Sequence, residues 1–291
     1  MSEAAAATMV DDSPLAIICG GGSLPFAVAD TVAKHGRPVV LFAIRGWADP
    51  QRVAAYPHHW TALGQFGWFC RVARREGCRD VVLIGSVARP AIWKIRPDFK
   101  TLRLLPRIFG IFRGGDDHLL SGVAGIFEEH GFRLIGAHEI APEILMPEGP
   151  LGSKLPSDRD RADIAKGLAL LDATSRFDIG QAVVVAAGRV LAVEAAEGTD
   201  HMLARIEELR SNGRMARGRG VLVKAAKQGQ DRRVDLPSIG PQTILGAARA
   251  GLAGIAVVAG STIVAEPDQI AELADREQLF VLGLREATAA R

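Results

Sequence analysis

Short apolar runs alternate with segments of helical periodicity along most of this 291-residue chain, and this alternation constrains its fold more than any other feature. The first run, residues 14–19, ends in the glycine turn GGGS (20–23), after which residues 24–34 have apolar side chains at helical spacing. Residues 80–85 (DVVLIG) are apolar almost without interruption, which is typical of a parallel strand buried on both faces. The pattern predicts a doubly wound α/β fold.

The same periodicities predict the remaining elements. Further strands are predicted at residues 38–43, 132–136, 181–187, 189–195, 221–225, 255–258, 262–265 and 279–282. Further helices are predicted at residues 66–76, 99–112, 116–130, 158–177, 199–209, 243–250 and 267–276. The pair of strands joined by Ala187-Gly188 is typical of a hairpin. Both halves of the chain are therefore predicted to be α/β.

The aromatic residues are distributed unevenly between the two halves. All four tryptophans and the single tyrosine lie in the first third, and beyond Phe132 only Phe177 and Phe280 remain. This segregation indicates two hydrophobic cores. Residues 146–156 (MPEGPLGSKLP) contain three prolines and two glycines, a composition typical of a linker. We predict an N-terminal α/β domain at residues 13–148 and a second α/β domain at residues 157–291.

Charge and cysteine content narrow the classes of function. The formal charge of +2 disfavours a dedicated nucleic-acid binder, which needs a strong basic excess. Cys19, Cys70 and Cys78 have no metal-ligand spacing, and the first dozen residues lack the features of a secretory signal, so we expect a cytoplasmic protein without disulfides. No apolar run reaches the ~18 residues that a membrane span requires.

Two loops in the first half are candidates for contact with a phosphate group. The glycine turn 20–23 precedes a helix, whose N-terminus offers unpaired N–H groups, although a purely structural turn fits equally well. The loop GSVARP (85–90) would lie beside this turn if the preceding strands are neighbours, with an ordinary loop as the alternative. Neither loop has the spacing of a dinucleotide fingerprint or a Walker loop, which disfavours a nicotinamide oxidoreductase and P-loop hydrolysis.

Two pairs of ionisable residues in the first half have ambiguous roles. Asp116 and Asp117 follow a glycine pair, where they either hold a cation or, more commonly, cap the next helix. His138 and Glu139 end a predicted strand and form a potential acid/base pair.

The second half contains a denser set of charged candidates, which are Glu194, Glu197, Asp200 and Asp235, with Lys224 and Lys227 between them. Carboxylates at the ends of successive strands can converge on one sheet edge and hold a divalent cation, while lysines contact phosphate oxygens. Such a cation would activate a water for in-line attack on a diphosphate. The alternative is that Glu197 and Asp200 begin a helix and that Asp235 is a turn residue before Pro237.

Two basic segments could contact an anionic ligand. Residues 205–233 contain nine basic residues and three acids, which is usually a solvated face but also suits an anionic substrate or membrane surface. Residues 99–112 combine large apolar side chains with Lys100, Arg103 and Arg107, as interfacial helices do. A buried amphipathic helix is the commoner explanation of this second pattern.

Eight motifs follow one another along the chain: GGGSLP (20–25), FAIRGWADP (42–50), GSVARP (85–90), GDD (115–117), GAHE (136–139), DIGQAVVV (178–185), VLAVEAAEGTD (190–200) and RRVDLPSIGPQT (232–243). In this order and spacing they resemble the LpxI-type UDP-2,3-diacylglucosamine pyrophosphatase family of lipid A biosynthesis. The resemblance covers essentially everything after the alanine-rich N-terminal tail.

The resemblance implies a Rossmann-like N-terminal domain, a distinct C-terminal α/β domain, and substrate held between them. It also implies Mg²⁺-assisted hydrolysis of UDP-2,3-diacylglucosamine to UMP and 2,3-diacylglucosamine 1-phosphate (lipid X), with attack on the phosphorus bonded to the sugar. The essential aspartate of the VDLP motif matches Asp235. Because the substrate has two acyl chains, the enzyme is expected at the cytoplasmic surface of the inner membrane, and a homodimer is left open.

The other site residues are extrapolated from chemistry. Candidate substrate contacts are Gly21, Gly22, Ser23, Ser86 and Val87 in the first domain and Gln181, Thr199 and Lys224 in the second. Candidate Mg²⁺ ligands are Asp235, Glu194, Glu197 and Asp200. A non-catalytic nucleotide or lipid carrier on the same scaffold is the alternative function, because fold alone does not fix function. Such a carrier would bind stoichiometrically and form no product.

Overall fold

The computed structural model describes residues 12–87, 96–111, 116–177, 179–215, 219–227, 231–233 and 236–285, with the main chain alone at 108–111 and 116–121. The chain divides into two compact units. The first comprises Met1–Pro106 and Gly125–Ile135, and the second comprises Arg107–Ala124 and Gly136–Arg291. Both units are mixed α/β structures, which confirms the predicted fold class.

The first unit is built on a parallel sheet of five strands in the order β3-β2-β1-β4-β5. The strands are β1 (Leu15–Cys19), β2 (Val39–Ile44), β3 (His58–Thr61), β4 (Asp80–Ile84) and β5 (Arg133–Leu134). The helices are α1 (Leu24–Lys34), α2 (Pro50–Val53), α3 (Phe66–Arg75), α4 (Phe99–Ile111) and α5 (Asp116–Glu129), the last two of which extend into the second unit. The strand order reverses between β1 and β4, where doubly wound sheets bind their ligands.

The second unit contains a six-stranded sheet in the order β6-β13-β11-β9-β7-β8 and a two-stranded sheet of β10 and β12. The strands are β6 (Gly149–Leu151), β7 (Ala182–Ala186), β8 (Arg189–Val193), β9 (Val221–Lys224), β10 (Ser238–Ile239), β11 (Gly254–Val258), β12 (Ile263–Val264) and β13 (Phe280–Leu284). The helices are α6 (Ala137–Ile140), α7 (Asp158–Thr174), α8 (Gly198–Ser211), α9 (Pro241–Arg249) and α10 (Pro267–Arg276), with short 3-10 turns at Pro142–Ile144 and Ser175–Phe177.

The larger sheet of the second unit is buried on both faces. Alternate residues of one strand serve the two cores, because successive side chains of a strand point to opposite faces. Val221 and Val223 of β9 lie in the core formed with Ile164 and Leu168 of α7, whereas Leu222 lies in the core formed with α8, α9 and α10. The near-continuous apolar runs in the sequence follow from this double burial.

The aromatic residues segregate as the sequence predicts. Phe42 and Phe69 pack edge to face in the first unit, with 4.7 Å between their ring centroids, and Phe127 and Phe132 pack around Phe69. In the second unit Phe280 is the large aromatic residue among the fully buried side chains that the structure describes.

The segment predicted to be a linker is partly a strand. Gly149–Leu151 pairs antiparallel with β13, so the Pro- and Gly-rich composition at residues 146–156 belongs to the edge of a sheet. Proline is tolerated there because an edge strand needs hydrogen bonds on one side only. Leu145 forms a bridge to Ile263, and this contact explains why the residues before the strand fall in the second unit. The domain boundary at residues 146–156 stays a prediction.

The predicted hairpin between β7 and β8 is confirmed, and a buried carboxylate holds its turn. The turn residues have positive φ angles, 54° at Ala187 and 72° at Gly188. Asp163 of α7, only 1% exposed, accepts hydrogen bonds from the N–H groups of both turn residues at 2.8 and 2.6 Å. These bonds offset the cost of the left-handed conformation at Ala187.

Within the part of the chain that the structure describes, every helix is too short or too polar to cross a membrane.

Candidate active site

The two glycine-containing loops of the first unit lie against each other. The N–H of Gly21 donates to the carbonyl of Ser86 at 2.8 Å, and the N–H of Ser86 donates to the carbonyl of Gly21 at 2.9 Å. These residues follow β1 and β4, so the two loops meet where the strand order reverses. The sequence predicted this contact from the assumption that the two strands are neighbours.

Steric contacts separate structural glycines from open ones in these loops. A Cβ at Gly20 would lie 2.8 Å from the main chain of Gly85, and Gly85 has a φ of +99°. These two glycines are required by close backbone approach and turn geometry. A Cβ at Gly22 would meet no atom within 4 Å, and Ser23, the N-cap residue of α1, makes no side-chain capping hydrogen bond. Gly22 and Ser23 are therefore better placed than Gly20 to contact a ligand.

In the second unit, four of the predicted substrate and metal residues come together at one edge of the sheet. Glu194 accepts a hydrogen bond from the N–H of Gln181 at Oε2 and one from the hydroxyl of Thr199 at Oε1, each at 2.9 Å. The carbonyl of Gln181 accepts from the N–H of Ala225, immediately after Lys224. Glu194 thereby connects the hairpin to the start of α8.

Lys224 is a buried cation at the end of β9. Its ammonium group donates to the carbonyl of Ser238 at 2.8 Å, and the residue is 6% exposed. Burial of an ammonium group is costly without such hydrogen bonds. This hydrogen bond links Ser238, which follows Asp235 in the chain, to the end of β9.

Residues on both sides of Asp235 make hydrogen bonds to the rest of the second unit, although Asp235 itself lies outside the described residues. On one side, Arg232 donates to the carbonyl of Gly260 at 2.8 Å. On the other side, the carbonyl of Pro237 accepts from the N–H of Ile263, and Ser238 begins strand β10. The sequence did not predict β10, because two residues give no periodicity.

His138 lies close to the same segment, a proximity that the sequence did not predict. Burial holds the pKa of His138 below its usual value; the charge of Arg232 acts in the same direction, and Glu139 and Asp231 oppose it. Within the described residues, the buried Nδ1 of His138 has no hydrogen-bond partner. Glu139 accepts from the N–H of Gly136 at 2.8 Å, so its carboxylate caps α6.

The remaining acidic candidates occupy helix ends. Glu197 is the N-cap residue of α8 and pairs with Arg205 at 2.8 Å, while Asp200 lies in the first turn of that helix. This geometry matches the alternative in which both residues begin a helix. Asp116 and Asp117 begin α5, and their side chains lie outside the described part of the structure.

The described carboxylates do not form a metal centre among themselves. Across the described residues, no three His, Cys, Asp or Glu side chains are grouped closely enough to hold a metal ion. Both oxygens of Glu194 accept protein hydrogen bonds, and Glu197 is engaged with Arg205. A Mg²⁺ site made of Asp235, Glu194, Glu197 and Asp200 therefore stays a prediction that depends on Asp235.

Comparison with known proteins covers almost the entire chain. Residues 14–144 match the model of the LpxI N-terminal domain, and residues 147–282 match that of the LpxI C-terminal domain. The UDP-2,3-diacylglucosamine pyrophosphatase LpxI of Caulobacter vibrioides is 44% identical over 272 residues, which span 93% of this chain and 97% of that protein. Both domain models match in the order that the motifs predict, and the chain belongs to the LpxI family.

Proposed function

We propose that this protein hydrolyses the diphosphate of UDP-2,3-diacylglucosamine to UMP and 2,3-diacylglucosamine 1-phosphate, a reaction of lipid A biosynthesis. The observation that supports this most directly is the 44% identity to a pyrophosphatase of that name over nearly the full length of both chains. The geometry of the first unit agrees with an anionic nucleotide ligand, because the open Gly22 and the N-terminus of α1 lie where the strand order reverses.

We assign each group at the sheet edges a proposed role on the basis of its position. Gly22 and Ser23 offer main-chain and hydroxyl groups at the N-terminus of α1, where an anionic phosphate is favoured. Ser86 and Val87 follow the neighbouring strand and are proposed as further contacts. In the second unit, Glu194 orders Gln181 and Thr199, which are proposed to contact the substrate.

Asp235 is the proposed catalytic residue. Its carboxylate would orient a water and withdraw its proton as the water attacks the phosphorus bonded to the sugar. The bond from that phosphorus to the bridging oxygen breaks, UMP departs with the bridging oxygen, and the water oxygen remains in the sugar 1-phosphate. Lys224 maintains the position of the Asp235 segment through Ser238.

An assay of UMP release tests the function. Purified protein incubated with UDP-2,3-diacylglucosamine is expected to release UMP and the sugar 1-phosphate in equal amounts over many turnovers. In water enriched in ¹⁸O, the label is expected in the sugar 1-phosphate and not in UMP. Folded protein that binds the substrate stoichiometrically and forms no product would support the carrier alternative.

Mg²⁺ is proposed as the cofactor on the basis of the family resemblance and the acidic residues near the sheet edge. When bound, a divalent cation neutralises charge on the phosphate oxygens. Removal of divalent ions by EDTA is expected to abolish UMP release, and added Mg²⁺ is expected to restore it. Full activity in EDTA would contradict the proposal.

Replacement of Lys224 by methionine is expected to lower kcat by about a hundredfold, because small displacements of catalytic groups cost about that much. KM should change less than kcat, since the ammonium group acts on the position of the Asp235 segment. Steady-state kinetics measure both parameters. Lys166→Met is the matched control, because Lys166 donates to the carbonyl of Gly188 at an exposed hairpin turn. Equal kcat values for the two variants would contradict the positioning role.

We further propose that the enzyme acts at the cytoplasmic surface of the inner membrane, because a substrate with two acyl chains resides in a bilayer. Self-association as a homodimer is a separate proposal, which light scattering on the purified protein tests.

A further inference from the structure

The outer face of α4 exposes large apolar side chains in its first turn. Phe99 is 69% exposed and Leu102 is 47% exposed, and Arg103 and Pro106 are exposed on the same side. The spacing i, i+3, i+4, i+7 places all four on one face of a helix. Within the described residues few large apolar side chains are this exposed, and two of them adjoin here. Single exposed apolar residues are ordinary, but an adjoining pair requires an explanation.

The net charge of this segment is positive. From residue 96 to residue 107 the chain contains four basic residues and one acid, Asp98. The guanidinium group of Arg103 lies 4.4 Å from the centroid of the Phe99 ring, so a cation and an apolar side chain are in contact on the surface. Arg96 and Arg107 are exposed at the two ends of the segment.

The single acid fixes the orientation of the helix. One oxygen of Asp98 accepts from the N–H and the hydroxyl of Thr101, each at 2.9 Å, and the other accepts from the N–H of Trp68 at 2.8 Å. Thr101 is buried, and its hydroxyl oxygen also accepts from the N–H of Phe66. Asp98 and Thr101 thus attach the first turn of α4 to the first turn of α3, and the opposite face stays directed outward.

We propose that this outer face of α4 docks on an anionic bilayer surface. Phe99 and Leu102 enter the headgroup region, and Arg96 and Arg103 contact lipid phosphates. A bilayer containing anionic lipid presents an apolar layer and negative charge in one plane, which complements this face. A second copy of the same face would bring like charges together. The inference deepens the proposed function, because it identifies the surface that would meet a membrane-resident substrate.

Co-sedimentation with vesicles tests the docking directly. Full-length protein is expected to bind vesicles of phosphatidylcholine with a quarter phosphatidylglycerol and to bind pure phosphatidylcholine weakly. The double variant Phe99→Ser/Leu102→Ser is expected to bind the anionic vesicles about tenfold more weakly, since it lacks the two apolar side chains that would be buried in the bilayer on docking. Arg103→Glu should also bind the anionic vesicles more weakly than wild type, because a negative charge then faces the anionic surface. This difference from wild type should grow as the salt concentration is lowered.

The chain offers a closely matched control. Phe177 is 62% exposed, and the guanidinium group of Arg176 lies 4.8 Å from its ring centroid, so its surroundings resemble those of Phe99. Phe177→Ser should leave vesicle binding unchanged. Thermal unfolding of all variants verifies that each is folded. Equal binding by wild-type protein and the double variant, or equal binding to the two kinds of vesicle, would overturn the proposal.

A second assay separates docking from substrate recognition. With substrate dispersed in detergent, the double variant should release UMP within about twofold of the wild-type rate, whereas with substrate embedded in anionic vesicles its rate should fall about tenfold. Equal losses in both assays would mean that this face binds the acyl chains of the substrate, and docking would be refuted. If wild-type protein released no UMP at all, the proposed function would fail, while the vesicle-binding result would still decide the docking surface.

Discussion

Asp235→Asn is expected to lower kcat for UMP release by about a thousandfold or more and to leave substrate affinity nearly unchanged. Asparagine preserves the shape of the side chain but can neither withdraw a proton from water nor neutralise a cation. The loss should appear in kcat because the carboxylate acts on the transition state more than on the bound substrate. Steady-state kinetics and calorimetric titration with substrate measure the two quantities, and Asp235→Ala should behave in the same way.

Asp231→Asn is the matched control for this prediction. Asp231 lies on the same segment, and the same charge is removed, but its carboxylate is paired with Arg233 at 2.8 Å. Its pKa is lowered by the hydrogen bond from Arg233, an effect that burial only partly opposes. We expect Asp231→Asn to keep kcat within about tenfold of wild type. Equal losses in the two variants would mean that the charge of the segment, and not Asp235 itself, determines turnover.

Most regular elements were predictable because each buried strand and each amphipathic helix repeats its pattern over several residues. The contact between the two glycine loops followed from the same information, since parallel strands that are neighbours end at one edge. The short strands β10 and β3 were not predicted, because each contains too few residues to show a period. The strand Gly149–Leu151 was missed because its glycine and proline are typical of turns.

The candidate site was predictable in part, because sequence position identifies residues that flank the same sheet but does not identify their hydrogen-bond partners. Gln181, Glu194, Thr199 and Lys224 could be placed near one another because they flank strands of the same sheet. The partners of charged groups could not be read from composition. Arg205 follows Glu197 by eight residues along α8 and forms an ion pair with it. Ser238 accepts from Lys224 through its main-chain carbonyl, which any residue type provides. Sequence chemistry identifies which side chains could act, whereas tertiary hydrogen bonds decide which are already engaged.

Asp80→Ala is expected to lower the free energy of unfolding by about 3–5 kcal/mol, the usual cost of breaking a buried ion pair on one side. Asp80 is 1% exposed at the start of β4, and its carboxylate accepts from Arg37 at 2.6 Å and from Arg133 at 2.7 and 2.8 Å. These bonds join β4 and β5 to the loop before β2, at the edge of the sheet opposite the glycine loops. Removal of the carboxylate leaves Arg37, itself 8% exposed, as a buried charge without its partner.

Urea unfolding measures the loss, and a double variant identifies its cause. Arg37→Leu/Asp80→Ala should be more stable than Asp80→Ala alone, because the uncompensated buried cation is removed as well. Equal stability of the single and double variants would mean that lost packing, and not the buried charge, causes the effect.

The pH dependence of stability gives an independent check on Asp80. Burial opposes ionisation, but the hydrogen bonds and charges of Arg133 and Arg37 outweigh it and lower the pKa of Asp80 in the folded protein. A group with a lower pKa in the folded state stabilises the protein above its unfolded pKa, about 3.9, and this contribution is lost as the pH falls toward the folded value. Asp80→Asn should therefore be less stable than wild type at neutral pH, and the difference should shrink below about pH 4. A difference that stays constant from pH 7 to pH 3 would show that Asp80 does not contribute through its charge.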